Sequence, residues 1–271
     1  MSSEPVSTHV SVSVTASGAA PTKPQAKWFH FRGRVLLVIP LALGLLAAIY
    51  VPRQMNQRRA LLELKKLEGV VRTEPLALPL VAEWFGPEYA TEIGEVYLIN
   101  PALKDDDLRV LSGVGTLTKL ELTTSPITDA GLSHLAGLTN LYTLHLAGTK
   151  VTDAGLVHLA GMKNLGILSL DGTGVTDAGM PQLAALPALE RLFLNETQVG
   201  DAGLTEIAKL TGLKELCLNK TKISDAGLPQ LAALTDLEIL KVNETAVTVD
   251  GMMALQKQLP KCYIIRPGAG E

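Results

Sequence analysis

Two histidines, His134 and His158, stand one 24-residue interval apart. A column of carboxylates keeps the same interval at Asp129, Asp153, Asp177, Asp201 and Asp225. Stacked imidazoles suit a transition metal, and stacked carboxylates suit calcium. The imidazole column continues as Gln182, Glu206 and Gln230, which makes it a solvated polar stripe. No other column brings it to the usual three or four protein ligands. The aspartates open a helical stretch, where Thr152 or Asp153 can act as N-cap and an acid in the first turn suits the helix dipole. Capping alone accounts for the column, so no metal and no cofactor is expected.

No Walker loop, G-x-S-x-G, H-E-x-x-H or Cys/His zinc pattern is present. No residue is assigned a catalytic role, and the chain is expected not to be an enzyme. The formal net charge of -3 gives no electrostatic case for a nucleic-acid partner. Cys217 and Cys262 fall two repeats apart, which at about 4.8 Å per strand means ~10 Å. A disulfide spans roughly 4.4–6.8 Å between Cα atoms, so two free thiols are expected.

The interval belongs to a repeating unit. From Ile127 to Ala246 five copies run in succession, beginning at Ile127, Val151, Val175, Val199 and Ile223. In the second copy, Val151, Leu156, Leu159, Met162, Leu165, Leu168 and Leu170 occupy positions that are apolar in every complete copy. A period of about 20–30 residues containing L-x-x-L-x-L signals a leucine-rich repeat solenoid. The fold class is α/β, with a curved parallel sheet on the concave side and short helices on the convex side. Gly131, Gly155, Gly179, Gly203, Gly227 and Gly251 form one column of small residues, and Ala136, Ala160, Ala184, Ala208 and Ala232 another. Both are read as close packing between helices. The hydroxyls of Thr149, Thr173, Thr197, Thr221 and Thr245 can bond backbone groups in the turn after each strand.

The pattern extends back to Leu103 and forward through Val247, Met252 and Leu255. A one-residue insertion near Gln258 shifts the register, and residues 259–267 form a closing strand and cap. Residues 95–267 are the repeat domain, with its first strand at Glu95–Ile99. Residues 52–94 are a helical linker and N-terminal cap: a helix over 54–68 with Gly69 as C-cap, a short helix from Pro79 to Phe85, and Trp84 and Phe85 covering the open end. Residues 35–51 form an uncharged apolar run flanked by aromatic and basic residues, and are expected to be one transmembrane helix of signal-anchor type. Residues 1–34 form a disordered tail. Basic residues nearest the run are balanced on its two sides, while Lys65 and Lys66 favour a cytoplasmic repeat domain.

What the repeat does not fix lies beside the inward strand leucines, where side chains point from the concave sheet to solvent. The candidate partner-binding residues there are Tyr97, Glu121, His145, Ile167, Asp171, Arg191, Phe193, Glu215 and Lys241. Phe193 stands out, because an aromatic at a solvent-facing strand position has no folding rationale, and aromatic and Arg residues are enriched at binding hot spots.

The units carrying L-x-x-L-x-L-x-x-T-x-V-T-D-A-G-L resemble a bacterial leucine-rich repeat family abundant in planctomycetes. Related units occur in F-box proteins. The resemblance covers residues 53–267, including QRRALLELKKLEGVV and LQKQLPKCYII. It implies an envelope-associated or membrane-anchored protein with its repeat domain outside the cytoplasm. The expected function is a membrane-tethered module that binds an unidentified protein or peptide on its concave face. Glycan or cell-wall binding on that face is the alternative. A ubiquitin-ligase adaptor role stands behind both, since no F-box-like module precedes the repeats.

Overall fold

The computed structural model describes residues 38–75 and 91–265. The chain divides into two units, Met1–Leu46 and Ala47–Glu271. The second holds a sheet of nine strands among the described residues, paired in sequence order. These are β1 (Val70–Pro75), β2 (Thr91–Tyr97), β3 (Lys119–Glu121), β4 (Thr143–His145), β5 (Ile167–Ser169), β6 (Arg191–Phe193), β7 (Glu215–Cys217), β8 (Ile239–Lys241) and β9 (Tyr263–Ile265). Strands β2 to β9 are parallel, and each steps 24 residues in register, as in Leu168↔Leu192. Strand β1 runs antiparallel to β2.

The period dictates this arrangement. Leu168 and Leu170 face inward from the strand, and Val151, Leu156, Leu159, Met162 and Leu165 meet them from the return path; all seven are fully buried. Burial of each contributes about 1.5–3 kcal/mol, largely offset by chain entropy. A return path this short leaves room for single helical turns, several of them the tighter 3-10 form, such as Gly155–Leu159 and Leu228–Ala233. The C-terminal helix Val249–Gln258 is longer.

The aspartate column does more than cap. Asp153 accepts the backbone N–H of Thr176 at 2.8 Å and its hydroxyl at 2.6 Å, both from the next repeat. The same pair of bonds joins Asp105 to Thr128, Asp129 to Thr152, Asp201 to Ser224 and Asp225 to Thr248. The N-cap is the Thr, whose oxygen accepts from its own turn, as Thr176 does from Ala178 at 3.2 Å. The glycine column serves this joint as well as the packing of neighbouring turns, since the leucines of the preceding repeat also close on Gly155, Gly179 and Gly227. A Cβ on Gly155, Gly179, Gly203 or Gly227 would collide with the carboxylate of the preceding repeat's aspartate. The alanine column is mixed: Ala136 and Ala160 are exposed, Ala184 and Ala208 are half-buried at the C-caps of their turns, and Ala232 is half-buried against the core. The threonine hydroxyls donate to the strand carbonyl three residues back, from Thr149 to Leu146 at 2.7 Å and from Thr173 to Leu170 at 2.6 Å.

Helix α1 (Val38–Lys66) and β1 cap the first repeat. The helix turns Gln54, Gln57, Ala60 and Leu64 inward. Gln57 locks it in place: Oε1 accepts from Ile93 N–H at 2.8 Å, and Nε2 donates to Thr116 Oγ1 at 2.7 Å. The helix stops at Lys66, and Glu68 takes the left-handed backbone at φ 58°. Gly69, expected as that C-cap, instead makes room, since a Cβ there would strike Leu98. The first strand was expected at Glu95–Ile99; it is preceded by β1, whose mostly exposed side chains give no alternating pattern. The expected helix at Pro79–Phe85, with Trp84 and Phe85, lies outside the described residues, as does the tail 1–34.

The transmembrane helix expected at 35–51 is not obtained. No helix among the described residues is long and apolar enough to cross a membrane. Residues 35–37 lie outside the described residues, and α1 passes from Val51 into charged turns at Arg53, Arg58 and Arg59.

The Asp–Thr joint has one gap. Gly200 stands where the other repeats carry Thr or Ser, so Asp177 accepts only a backbone N–H, at 2.7 Å. Gly200 keeps the extended backbone of the other N-caps, and a Cβ there meets nothing closer than 3.4 Å. Gly200→Thr should restore the second bond and stabilise the protein by about 1 kcal/mol. The check is a higher urea midpoint at unchanged slope. For an intact joint, Gly155→Ala and Asp129→Ala should each destabilise by about 1–3 kcal/mol. Removing the Asp129 carboxylate also removes the collision, so the double variant should lose clearly less than the sum in a double-mutant cycle. An additive result would mean that the glycines serve something else.

Candidate functional site

The register sets two lanes of outward side chains across the sheet. One carries Glu95, Lys119, Thr143, Ile167, Arg191, Glu215, Ile239 and Tyr263. The other carries Tyr97, Glu121, His145, Ser169, Phe193, Cys217, Lys241 and Ile265.

On β6 to β8 four of the expected residues come together. The Glu215 carboxylate lies 2.9 Å from Lys241 Nζ and 4.0 Å from Arg191 Nε. The bond to Glu215 raises the Lys241 pKa above its ordinary value. Phe193 is half-buried rather than fully presented to solvent. Its neighbours in register, Ser169 and Cys217, are only 5% and 1% exposed although they share the outward lane. Ser169 is bonded to Asp171 at 3.1 Å and Cys217 lies 3.8 Å from Glu215, and the register sets Phe193 between the two. Burial pushes the Cys217 thiol up to about 12, against the nearby Lys241 charge, and the Cys262 thiol up to about 11. Both cysteines are free and buried.

Two smaller groups lie nearer the N-terminal edge. Lys119 and, from β1, Arg72 stand over the Tyr97 ring at 5.0 and 5.5 Å from its centroid, and the Tyr97 hydroxyl donates to Glu95 at 2.8 Å. Glu121 and His145 approach to 4.0 Å. Ile167 sits beside Arg191 in register.

Asp171 is bound into the frame. Its Oδ1 accepts both the backbone N–H and the side-chain amide of Asn195 at 2.7 Å. Asn195 Oδ1 accepts Asn219 N–H at 2.9 Å, and Asn219 Oδ1 accepts Asn243 N–H at 2.8 Å. This amide ladder joins the strand ends, so variation in that lane did not signify a free surface. The histidine pair stays on the convex side, with His134 3.8 Å from Asp106. Among the described residues no group of three or more His, Cys, Asp or Glu is placed to hold a metal.

Tyr263 was missed. It extends the lane beyond Ile239 and is 70% exposed. The expected insertion near Gln258 is real in the helical half, where Leu259 and Cys262 fill core positions one residue late. It is undone before the strand, because Ile239 pairs with Tyr263 at the ordinary interval. Counting straight through from Ile239 would have found it.

Such a stack has the architecture of a leucine-rich repeat solenoid. A family model described as Leucine Rich repeat matches residues 116–136 and 137–160. Among solved structures, internalin C2 of Listeria monocytogenes str. 4b F2365 is similar at 26% identity and a TM-score of 0.53, over 65% of this chain and 81% of that one. The internalin inlF of the same strain is similar at 22% identity and a TM-score of 0.39, over 60% of this chain and 58% of that one. No curated protein matches the sequence.

The register of Phe193 beside Cys217 predicts that the ring shields the thiol, and this has a chemical readout. At pH 8 both thiols should react slowly with a thiolate-directed reagent in the folded protein, and fully once it is unfolded. Phe193→Ala should accelerate labelling of Cys217 by about tenfold or more and leave Cys262 unchanged, read by peptide mapping. Equal rates at Cys217 in the two proteins would remove the ring's shielding role.

Proposed function

We propose that the protein is a non-enzymatic binding module that takes a protein or peptide segment on its concave sheet face. The observation that carries this reading is the cluster on β6 to β8. There a half-exposed aromatic ring, Phe193, stands against an ion-paired triad, Arg191–Glu215–Lys241, on a frame whose other outward polar groups are largely tied to one another. An aromatic anchor beside an arginine is the composition of an interaction hot spot. Parallel strands hold both in fixed positions, which lowers the ordering cost of binding. A glycan reading has weaker support. Tyr97 and Phe193 are four strands apart, about 19 Å, too far for one stacking platform.

The same reading ties the module to a membrane through residues 35–51, with the repeat domain outside the cytoplasm. Its support is the apolar run, the bracketing basic residues and the family resemblance, all taken from sequence.

Crosslinked recovery from native membranes tests the face. Arg191→Ala with Phe193→Ala should reduce recovery of the protein partner by about tenfold or more, while Thr139→Ala, at an exposed turn ahead of β4 and off the concave lanes, leaves recovery normal. Undiminished recovery with the double variant, or capture of glycan alone, would overturn the reading.

A further inference from the structure

Cap helix α1 carries a second organised surface. Its inward face is Gln54, Gln57, Ala60 and Leu64. On the opposite face Met55 and Leu62 are 64% and 62% exposed. They are seven residues apart, so they lie on one line two turns apart, ~10 Å along the axis. Cations follow the same spacing on both sides of that line: Arg59 and Lys66 on one, Arg58 and Lys65 on the other. Arg59, Lys65 and Lys66 are exposed. Glu63 is the acid among them, bonded to Lys66 at 2.8 Å. Arg53, one turn earlier, is paired with Glu92. Arg59 and Lys66 also border a groove with Asp106 and Asp107 of the first repeat, while the exposed Met55 and Leu62 side chains serve neither the core nor the concave site. An apolar line walled by cations fits an interface that is apolar within and anionic at its surface. A second copy of the helix would set cations against cations.

We infer that the outer face of α1, from Met55 to Lys66, docks on the anionic headgroups of a membrane, with Met55 and Leu62 entering the interface. This deepens the membrane reading and rests on it, since α1 carries most of the apolar run 35–51 ahead of Met55, with Pro52 between the two as the place where the helix can bend to let both engage a bilayer. Docking here would hold the first repeat against the bilayer instead of leaving the solenoid to swing from its tether.

The test uses the full chain with Leu62→Cys carrying an environment-sensitive dye. Val157→Cys, an exposed site on a helical turn of the second repeat unit, is the control. Vesicles of phosphatidylglycerol and of phosphatidylcholine are compared by flotation and by emission. The expected result is a blue shift at Leu62→Cys on phosphatidylglycerol, none at Val157→Cys, and reversal in high salt. Adding Arg59→Glu and Lys66→Glu should weaken the response about tenfold or more. Flotation with both lipids but no shift at Leu62→Cys overturns the docking face and leaves the tether standing. A shift on phosphatidylglycerol without flotation on phosphatidylcholine supports the face and removes the tether. No flotation with either lipid overturns both. A shift that grows with protein concentration in the absence of vesicles assigns the face to a second copy instead.

Discussion

Each repeat carries a carboxylate that its neighbour satisfies. Asp129 is held by Thr152, Asp153 by Thr176 and Asp201 by Ser224, and the hydroxyl that donates back to the preceding repeat's acid also caps its own helical turn. Separating two repeats would leave a half-buried carboxylate without its donors and a turn without an oriented cap, a cost of about 1–3 kcal/mol beyond the exposed leucines. The T-D-A-G signature is therefore a joint in two halves. Asp reaches out, Thr receives it, and Gly gives the carboxylate the space that a Cβ would fill. Stability in such a stack is a sum over neighbouring contacts, and every internal repeat depends on both sides.

A joint that faces one way needs ends that break it. At the C-terminal end the unit reads V-T-V-D-G, so Thr248 receives Asp225 while Val249 stands in the place of the outgoing acid. The longer helix Val249–Gln258 and β9 then close the core with Leu255, Leu259 and Cys262. The amide ladder ends similarly. Asn243 Oδ1 is buried without a donor, and the residue one interval on is Pro267, which has no N–H to give. At the N-terminal end the solution is different in kind. Helix α1 lays its inner face on the first repeat and Gln57 fastens it, while β1 pairs the free edge of β2 antiparallel.

The inward half of every repeat was legible because burial leaves a chemical signature: one apolar residue type at each fixed position. Polar positions carry no such label. The aspartates looked like caps because their partners lie one repeat away, and a sequence read one unit at a time cannot show which unit a side chain bonds. Asp171 looked free for the same reason, its ladder partner being Asn195 rather than a neighbour in sequence. The turn after each strand is left-handed at six positions, yet Gly148 and Gly172 are the two that announce it, while Thr124, Glu196, Lys220 and Glu244 accept the strain. Strand β1 was invisible because an edge strand exposed on both faces has no alternation to read.

The frame also decides what the concave cluster can do. Exposed ion pairs add little to stability, so the Arg191–Glu215–Lys241 arrangement matters less for holding the sheet than for what it leaves available. Its two arms are unequal. Lys241 is bonded to Glu215 at 2.9 Å, while Arg191, on the other side, is at 4.0 Å and 54% exposed. An incoming carboxylate would recruit Arg191 at small cost, because Glu215 keeps its lysine and stays neutralised when the arginine turns away. Phe193 has less freedom, since it is half-buried between the buried Ser169 and Cys217 in register. The cluster thus joins a fixed apolar surface to one mobile cation. On the proposed binding reading, that combination would fix where a partner sits and let a single charged contact adjust to it.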